Sequence, residues 1–173
     1  AIGYSSDVTN RVQLQDTVKS ILSDFHRINI LVNAAGVIAA PGFENTVTSR
    51  EEDWDLTYSV NVKGTVLASE VVAEHMKENR DGKIINIASH AGRCGGAGGG
   101  AYGASKPAVI HLTQSSAMDL APYDINVNVV CPGTIWTPMW ERIAERFRRN
   151  DPSKKDMTTR EIFDQQIQDR CPL

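Results

Sequence analysis

Lys83-Ile84-Ile85-Asn86-Ile87-Ala88-Ser89 is a short β-rich run. After a glycine-rich stretch comes Tyr102-Gly103-Ala104-Ser105-Lys106, which opens a helical pattern reaching about Leu120. A second β-rich run follows, Val127-Asn128-Val129-Val130-Cys131. Strand, helix, strand in that order reads as a crossover between parallel neighbours in one sheet. The same alternation holds upstream. Leu14, Val18, Ile21, Leu22 and Phe25 recur at three- and four-residue spacing and predict an amphipathic helix with one buried stripe. The strand Ile30-Leu31-Val32 comes next. Ser49-Arg50-Glu51-Glu52 then reads as a capping box, with Ser49 and Glu52 satisfying each other's free amides. That helix is expected to run, with a bend, through Val66 and Val71 to about Lys77, and Asp81-Gly82 turns the chain into the next strand. The fold class is therefore α/β, with a parallel sheet in one domain. Ligands of such sheets gather at the carboxyl ends of the strands, where Asn33, Ser89 and Pro132 fall.

Tyr102 and Lys106 are four positions apart, so on a helix they share a face and can point at one ligand. A free phenol titrates near pH ~10, too high for a base at neutral pH. An ammonium about 4 Å away, at an effective dielectric near 20, contributes up to ~4 kcal/mol to the phenolate, roughly three pK units before desolvation. Tyr102 is thus the candidate general acid/base, and Lys106 the group expected to lower its pKa. Ser89, thirteen positions before the tyrosine, is the candidate donor to a substrate oxygen.

Three further features accompany these residues: Asn33-Ala34-Ala35-Gly36 after a strand, Asn61 within Ser59-Val60-Asn61-Val62, and Pro132-Gly133 after the last strand. Together they resemble the short-chain dehydrogenase/reductase family, from Asp7 to about Thr137 and more loosely to the end. Asn61, Ser89, Tyr102 and Lys106 match that family's catalytic tetrad in type, order and approximate spacing. The resemblance implies hydride transfer between a nicotinamide, NAD or NADP with NAD favoured, and a small secondary alcohol, diol or polyol and its ketone. The snippets Ile84 to Gly92 and Thr137-Pro138-Met139-Trp140 look most like the butanediol and sugar-alcohol branch. It further implies that Lys106 binds the nicotinamide ribose and that Asn61 orders a water relaying protons from the lysine. Asp7 and Val8 would lie against the adenine, Asn33, Ala34, Ala35 and Gly36 along the adenosine ribose, and Ile135 and Thr137 near the carboxamide, with Pro132 and Gly133 completing the cofactor-binding set. Residues 134–170 would form a substrate lid, in which Trp136, Met139 and Trp140 either line the pocket or pack the lid onto the body. A homodimer or homotetramer is implied as well. Two other readings stand beside this one, a 3-oxoacyl thioester reductase and a catalytically silent dinucleotide-binding or oligomer-forming remnant. The chain departs from the family pattern at Ala34, where a second asparagine is common. Pro107 also departs, because it removes an amide bond to Gly103 and is expected to shift Lys106 relative to Tyr102 by kinking the helix.

Against that family, Ala1 to Val8 looks like the third strand, so the first two strands and their phosphate-binding glycine turn are expected to be absent, as is the last strand. The resemblance thus implies a partial Rossmann-like, doubly wound parallel sheet with a gap, and a chain that is part of a longer protein. Gly95-Gly96-Ala97-Gly98-Gly99-Gly100 does not replace the missing turn, because it neither follows a strand directly nor opens a strand-helix-strand unit. It reads as a flexible wall of the substrate pocket.

The 173 residues, 41% apolar, suit one globular domain, and the formal charge of −3 argues against a nucleic-acid or anionic-membrane surface. Arg142, Arg146, Arg148 and Arg149 cluster, but Glu141 and Glu145 interleave with them and suggest a solvated face with internal ion pairs. Cys94, Cys131 and Cys171 are widely separated and fit free thiols in a reducing, cytoplasmic setting. His26, His75, His90 and His111 lack ligand spacing, so no metal is expected. No apolar stretch reaches the length of a membrane span.

Overall fold

A computed structural model describes residues 1–95 and 100–170. Among them, three strands form one parallel sheet in the order β1 (Ile30–Asn33), β2 (Gly82–Ile87), β3 (Ile125–Val130). The register pairs Asn33 with Asn86 and Ile87 with Val130, which brings the three carboxyl ends to one edge of the sheet. Helices α1 (Arg11–Phe25), α3 (Thr65–Asn79) and α4 (Gly100–Leu120) flank the sheet. Their apolar residues close the core, in which Met76, Ile84 and Ile125 are almost wholly buried beside Val72, Leu120 and Val127. The expected partial doubly wound sheet is what the chain forms.

Residues 1–7 form neither helix nor strand and join no ladder among the described residues, so the strand expected there is not made. No neighbouring strand offers them carbonyls and amides. The expected gap is visible along the outer edge of β1, where an apolar groove of about 460 Å³ runs between that strand and α1. Its presence changes the reading of α1. Leu14 is buried and Val18 packs on the core, but Phe25 is half exposed over the groove, so the predicted stripe is only partly covered.

The helix after Ser49 begins one residue later than predicted. Arg50 is the N-cap of α2 (Glu51–Thr57), and Asp53, not Glu52, accepts the Arg50 amide at 2.8 Å. Ser49 turns away and accepts from Ala101 N at 3.1 Å, at the start of α4. The expected bend is a π-helical turn, Tyr58–Gly64, lying between α2 and α3. It is held where Gly64 lets Val8 approach, since a Cβ at that glycine would fall 2.8 Å from Val8 Cγ2. α4 continues as one helix across Pro107, whose ring faces solvent where its missing amide does little harm.

Beyond β3, α5 (Pro138–Asn150) and α6 (Thr159–Arg170) pack together through Phe163, which takes the edges of Trp136 and Trp140 at centroid distances of 5.0 and 5.4 Å. Those two tryptophans thus pack within residues 134–170, an arrangement that is neither of the two options the sequence left open. Glu145 pairs with Arg148 at 2.7 Å and Arg149 at 2.5 Å as anticipated. Arg142 and Arg146 do not form part of such a solvated face. They reach across to residues 40–47, because Glu44 and three backbone carbonyls there offer acceptors that a sequence pattern cannot reveal. Among the described residues no helix is long and apolar enough to cross a membrane.

Candidate active site

Where the strands end, the chain gathers its polar residues. Ala88 N donates to Val130 O at 2.8 Å and His90 N to Pro132 O at 2.9 Å, so the segments leaving β2 and β3 run side by side past the sheet. Ser89 caps the turn His90–Gly92, and its Oγ accepts from Ala91 N at 3.1 Å. That bond uses one of the two lone pairs of the Ser89 hydroxyl and leaves its hydrogen free to donate.

Tyr102 and Lys106 sit one turn apart on α4, with the ammonium 5.2 Å from the centre of the phenol ring. Lys106 is only 5% exposed and donates to the Ile87 carbonyl at 3.1 Å, the last residue of β2. Gly92 makes this approach possible, since a Cβ there would come within 2.9 Å of the Lys106 backbone carbon. The helix is unbroken at Pro107, and the two side chains stay together on it. Their titration differs from the sequence expectation, however. Burial raises the Tyr102 pKa above its ordinary value, with only the Ser89 hydrogen bond opposing it. Burial also pushes Lys106 down to about 8, partly offset by nearby Cys131. The ammonium lies over the phenol ring, and desolvation of both groups outweighs the anticipated lowering of the phenol.

Asn61 is buried in the π-helical turn, and its side chain ties three elements together. Oδ1 accepts from Val37 N at 2.8 Å, while Nδ2 donates to Val37 O at 2.9 Å and Ser105 Oγ at 3.2 Å. A Cβ on Gly36 would lie 3.5 Å from Asn61 Oδ1 and 3.8 Å from Lys106 Nζ, so the loop leaving β1 passes over the ammonium. Ala34, Ala35 and Gly36 present exposed backbone there. The Asn33 amide turns inward to Asn86 Oδ1 at 2.8 Å and Ser69 Oγ at 2.9 Å, and Asn86 in turn donates to Thr113 Oγ1 at 2.9 Å. This buried network stiffens the sheet beneath the site, and sequence reading did not single out Asn86 or Thr113; a polar residue at an alternate position of an otherwise apolar strand was the available signal.

The remaining predicted residues lie farther out. Asp7 accepts from Thr9 N and Thr9 Oγ1, both at 2.8 Å, which lowers its pKa and leaves it as a turn residue before α1. Val8 is anchored on Gly64. Gly133 and Ile135 are exposed beside Pro132, and Thr137 caps α5 by accepting from Trp140 N. Residues 96–99 of the glycine-rich segment and Cys171 lie outside the described residues. Among the described residues no group of three or more His, Cys, Asp or Glu could hold a metal ion.

The residues present fit the nicotinamide-ribose half of a dinucleotide. Lys106 has three N–H donors and gives one to Ile87, which leaves two for a vicinal diol. Its neighbours are an exposed loop backbone at Gly36 and the Tyr102 ring.

Known proteins share this chain's sequence and fold. The family described as short chain dehydrogenase matches residues 1–147. Among curated relatives, the chain is 41% identical over 145 residues to a (2S)-[(R)-hydroxy(phenyl)methyl]succinyl-CoA dehydrogenase subunit from Thauera aromatica, covering 84% of this chain and 57% of the relative. It is 38% identical over 151 residues to a 3-oxoacyl-[acyl-carrier-protein] reductase from Thermotoga maritima, covering 87% and 60%. It also superposes on the crystal structure of an NAD+-bound xylitol dehydrogenase with a TM-score of 0.78 and 33% identity, covering 95% of this chain and 62% of that one. The chain thus spans roughly three-fifths of the length of these relatives.

Proposed function

The chain belongs to the short chain dehydrogenase family, and from that premise we propose that it carries the catalytic residues of an NAD(P)-dependent oxidoreductase acting on a small secondary alcohol, diol or polyol and its ketone. The observation that carries this reading is the Lys106 ammonium, buried beside the Tyr102 ring with two donors to spare at the carboxyl ends of the strands. A nicotinamide, when bound, supplies or accepts the hydride. Ser89 holds the substrate oxygen through its hydroxyl hydrogen, while one of its lone pairs accepts from Ala91 N. Tyr102 Oη gives its proton to that oxygen during ketone reduction and must recover a deprotonated form for alcohol oxidation. Burial keeps the phenol protonated near neutrality, which suits it to the reductive direction. The charge on Lys106 favours the phenolate and so serves the oxidative one. Since the Asn61 side chain is engaged by Val37 and Ser105, a water relay would run through its main-chain carbonyl, which already accepts from Thr65 Oγ1 at 2.8 Å.

NAD is the proposed form of the cofactor, supported by the likeness to the NAD+-bound xylitol dehydrogenase. Residues 134–170 are the proposed lid. Assembly as a homodimer or homotetramer is part of the same reading, supported by the exposed Trp54 and Tyr58, whose rings lie 6.0 Å apart. A cytoplasmic setting is proposed from the free Cys94 and Cys131. A second reading, reduction of a 3-oxoacyl thioester, is favoured by the two curated relatives named for thioester-linked substrates.

Steady-state assays of the full-length polypeptide separate the two, comparing a vicinal diol with NAD+ or NADP+ against an acetoacetyl thioester with the reduced forms. The first reading expects the higher kcat/KM on the diol. Tyr102→Phe is expected to lower turnover at least ~10²-fold with either substrate. Retained turnover in that variant would sink both readings.

A further inference from the structure

The helix α5 presents Arg142 and Arg146, one turn apart, to residues 40–47. Arg146 Nε donates to Thr46 O at 2.6 Å and its Nη2 to Val47 O, while the guanidinium lies 4.4 Å from the centre of the buried Phe43 ring. Arg142 pairs with Glu44 and donates to Ala40 O at 3.1 Å. A planar fork that bridges two carbonyls and covers an aromatic face is an arrangement that arginine makes and lysine does not. The far side of this strap is fixed independently. Asp53, fully buried, accepts from Ala40 N at 2.9 Å and Arg50 N at 2.8 Å, and Arg50 Nη2 donates to Pro41 O at 2.9 Å.

The strap also reaches the site at both ends. Val37 is held by Asn61, and Ser49 accepts from Ala101 N, one residue before Tyr102. Three elements that must be mutually placed, the lid, the Asn61 turn and the start of α4, therefore meet on residues 37–50. We propose that Arg146, supported by Arg142, is a positioning residue that latches the lid helix onto this strap and so sets the closed position over the substrate. The latch rests on the contacts above, and its effect on substrate rests on the proposed oxidoreductase reading.

The test compares Arg146→Met and Arg146→Lys in the full-length protein by amide hydrogen exchange without substrate and by steady-state kinetics. Exchange in residues 138–170 is expected to quicken about tenfold or more in Arg146→Met while β2 keeps its protection. KM is expected to rise about tenfold with kcat held within about twofold, the signature of lost ground-state positioning. Arg146→Lys should recover only part of each effect. Unchanged exchange in the lid, or an equal rise in β2, overturns the latch. A loosened lid with unchanged KM overturns its link to substrate. If exchange responds as expected while the parent transfers no hydride to diol or thioester, the latch stands and the oxidoreductase reading fails.

Discussion

Replacing Lys106 by Met should make the protein more stable near neutral pH and less stable in strong base. Lys106 is 5% exposed, and its pKa falls from the ordinary 10.5 to about 8. Holding the charge in place therefore costs the folded state roughly 3 kcal/mol at pH 7. Met fills a similar volume without that cost but leaves the Ile87 carbonyl without its donor, a loss of about 1–2 kcal/mol. The variant should accordingly gain about 1–2 kcal/mol at pH 7.

The direction reverses with pH for a definite reason. Below pH 8 the lysine is charged in both states and the burial cost is fully present. Between about 8 and 10.5 the folded parent releases its proton while the unfolded chain keeps its own, so parental stability rises through that window. Above 10.5 both states are neutral and only the lost hydrogen bond separates the two proteins, now in favour of the parent. Urea midpoints of parent and variant at matched pH values from 7 to 11 would show the curves crossing. A stability difference that stays constant across the window refutes the reasoning, as does a variant less stable than the parent at pH 7. Loss of activity in the same variant would identify the lysine's burial as a cost retained for function.

Gly92→Ala should lose about 1–3 kcal/mol and a larger share of kcat than of KM, because the added Cβ meets both Ile110 Cδ1 and the Lys106 backbone at 2.9 Å; thermal unfolding with steady-state kinetics checks both. Asn86→Leu should cost about 2–4 kcal/mol in chemical denaturation, since it removes one of the two acceptors of the Asn33 amide and the donor to Thr113 in a buried setting. A shift below 0.5 kcal/mol would mean that water replaces those partners.

What could be read from the chain without coordinates divides along a physical line. β2 and β3 were legible because each is an apolar run bounded by turn residues, and such runs depend little on distant partners. The one-turn spacing of Tyr102 and Lys106 was legible for a similar reason, since helix geometry alone places them together. The π-helical turn at Asn61 was not, because it depends on Gly64 meeting Val8 from a segment far away in sequence. Ser49 looked like a helix cap, and its hydroxyl instead serves Ala101, 52 residues on. Arg142 and Arg146 looked like members of a solvated face until residues 40–47 supplied acceptors. The same limit explains the titration of the site pair. Coulomb attraction between a phenolate and an ammonium follows from their spacing, but the opposing desolvation is a property of everything packed around them. At this site the second effect is the larger, and it acts on both partners in opposite directions, raising Tyr102 and lowering Lys106. Deprotonating the tyrosine therefore requires either the positive charge retained on Lys106 or a further polar group brought against both side chains, and the two spare N–H donors of the lysine mark where such a group would be held.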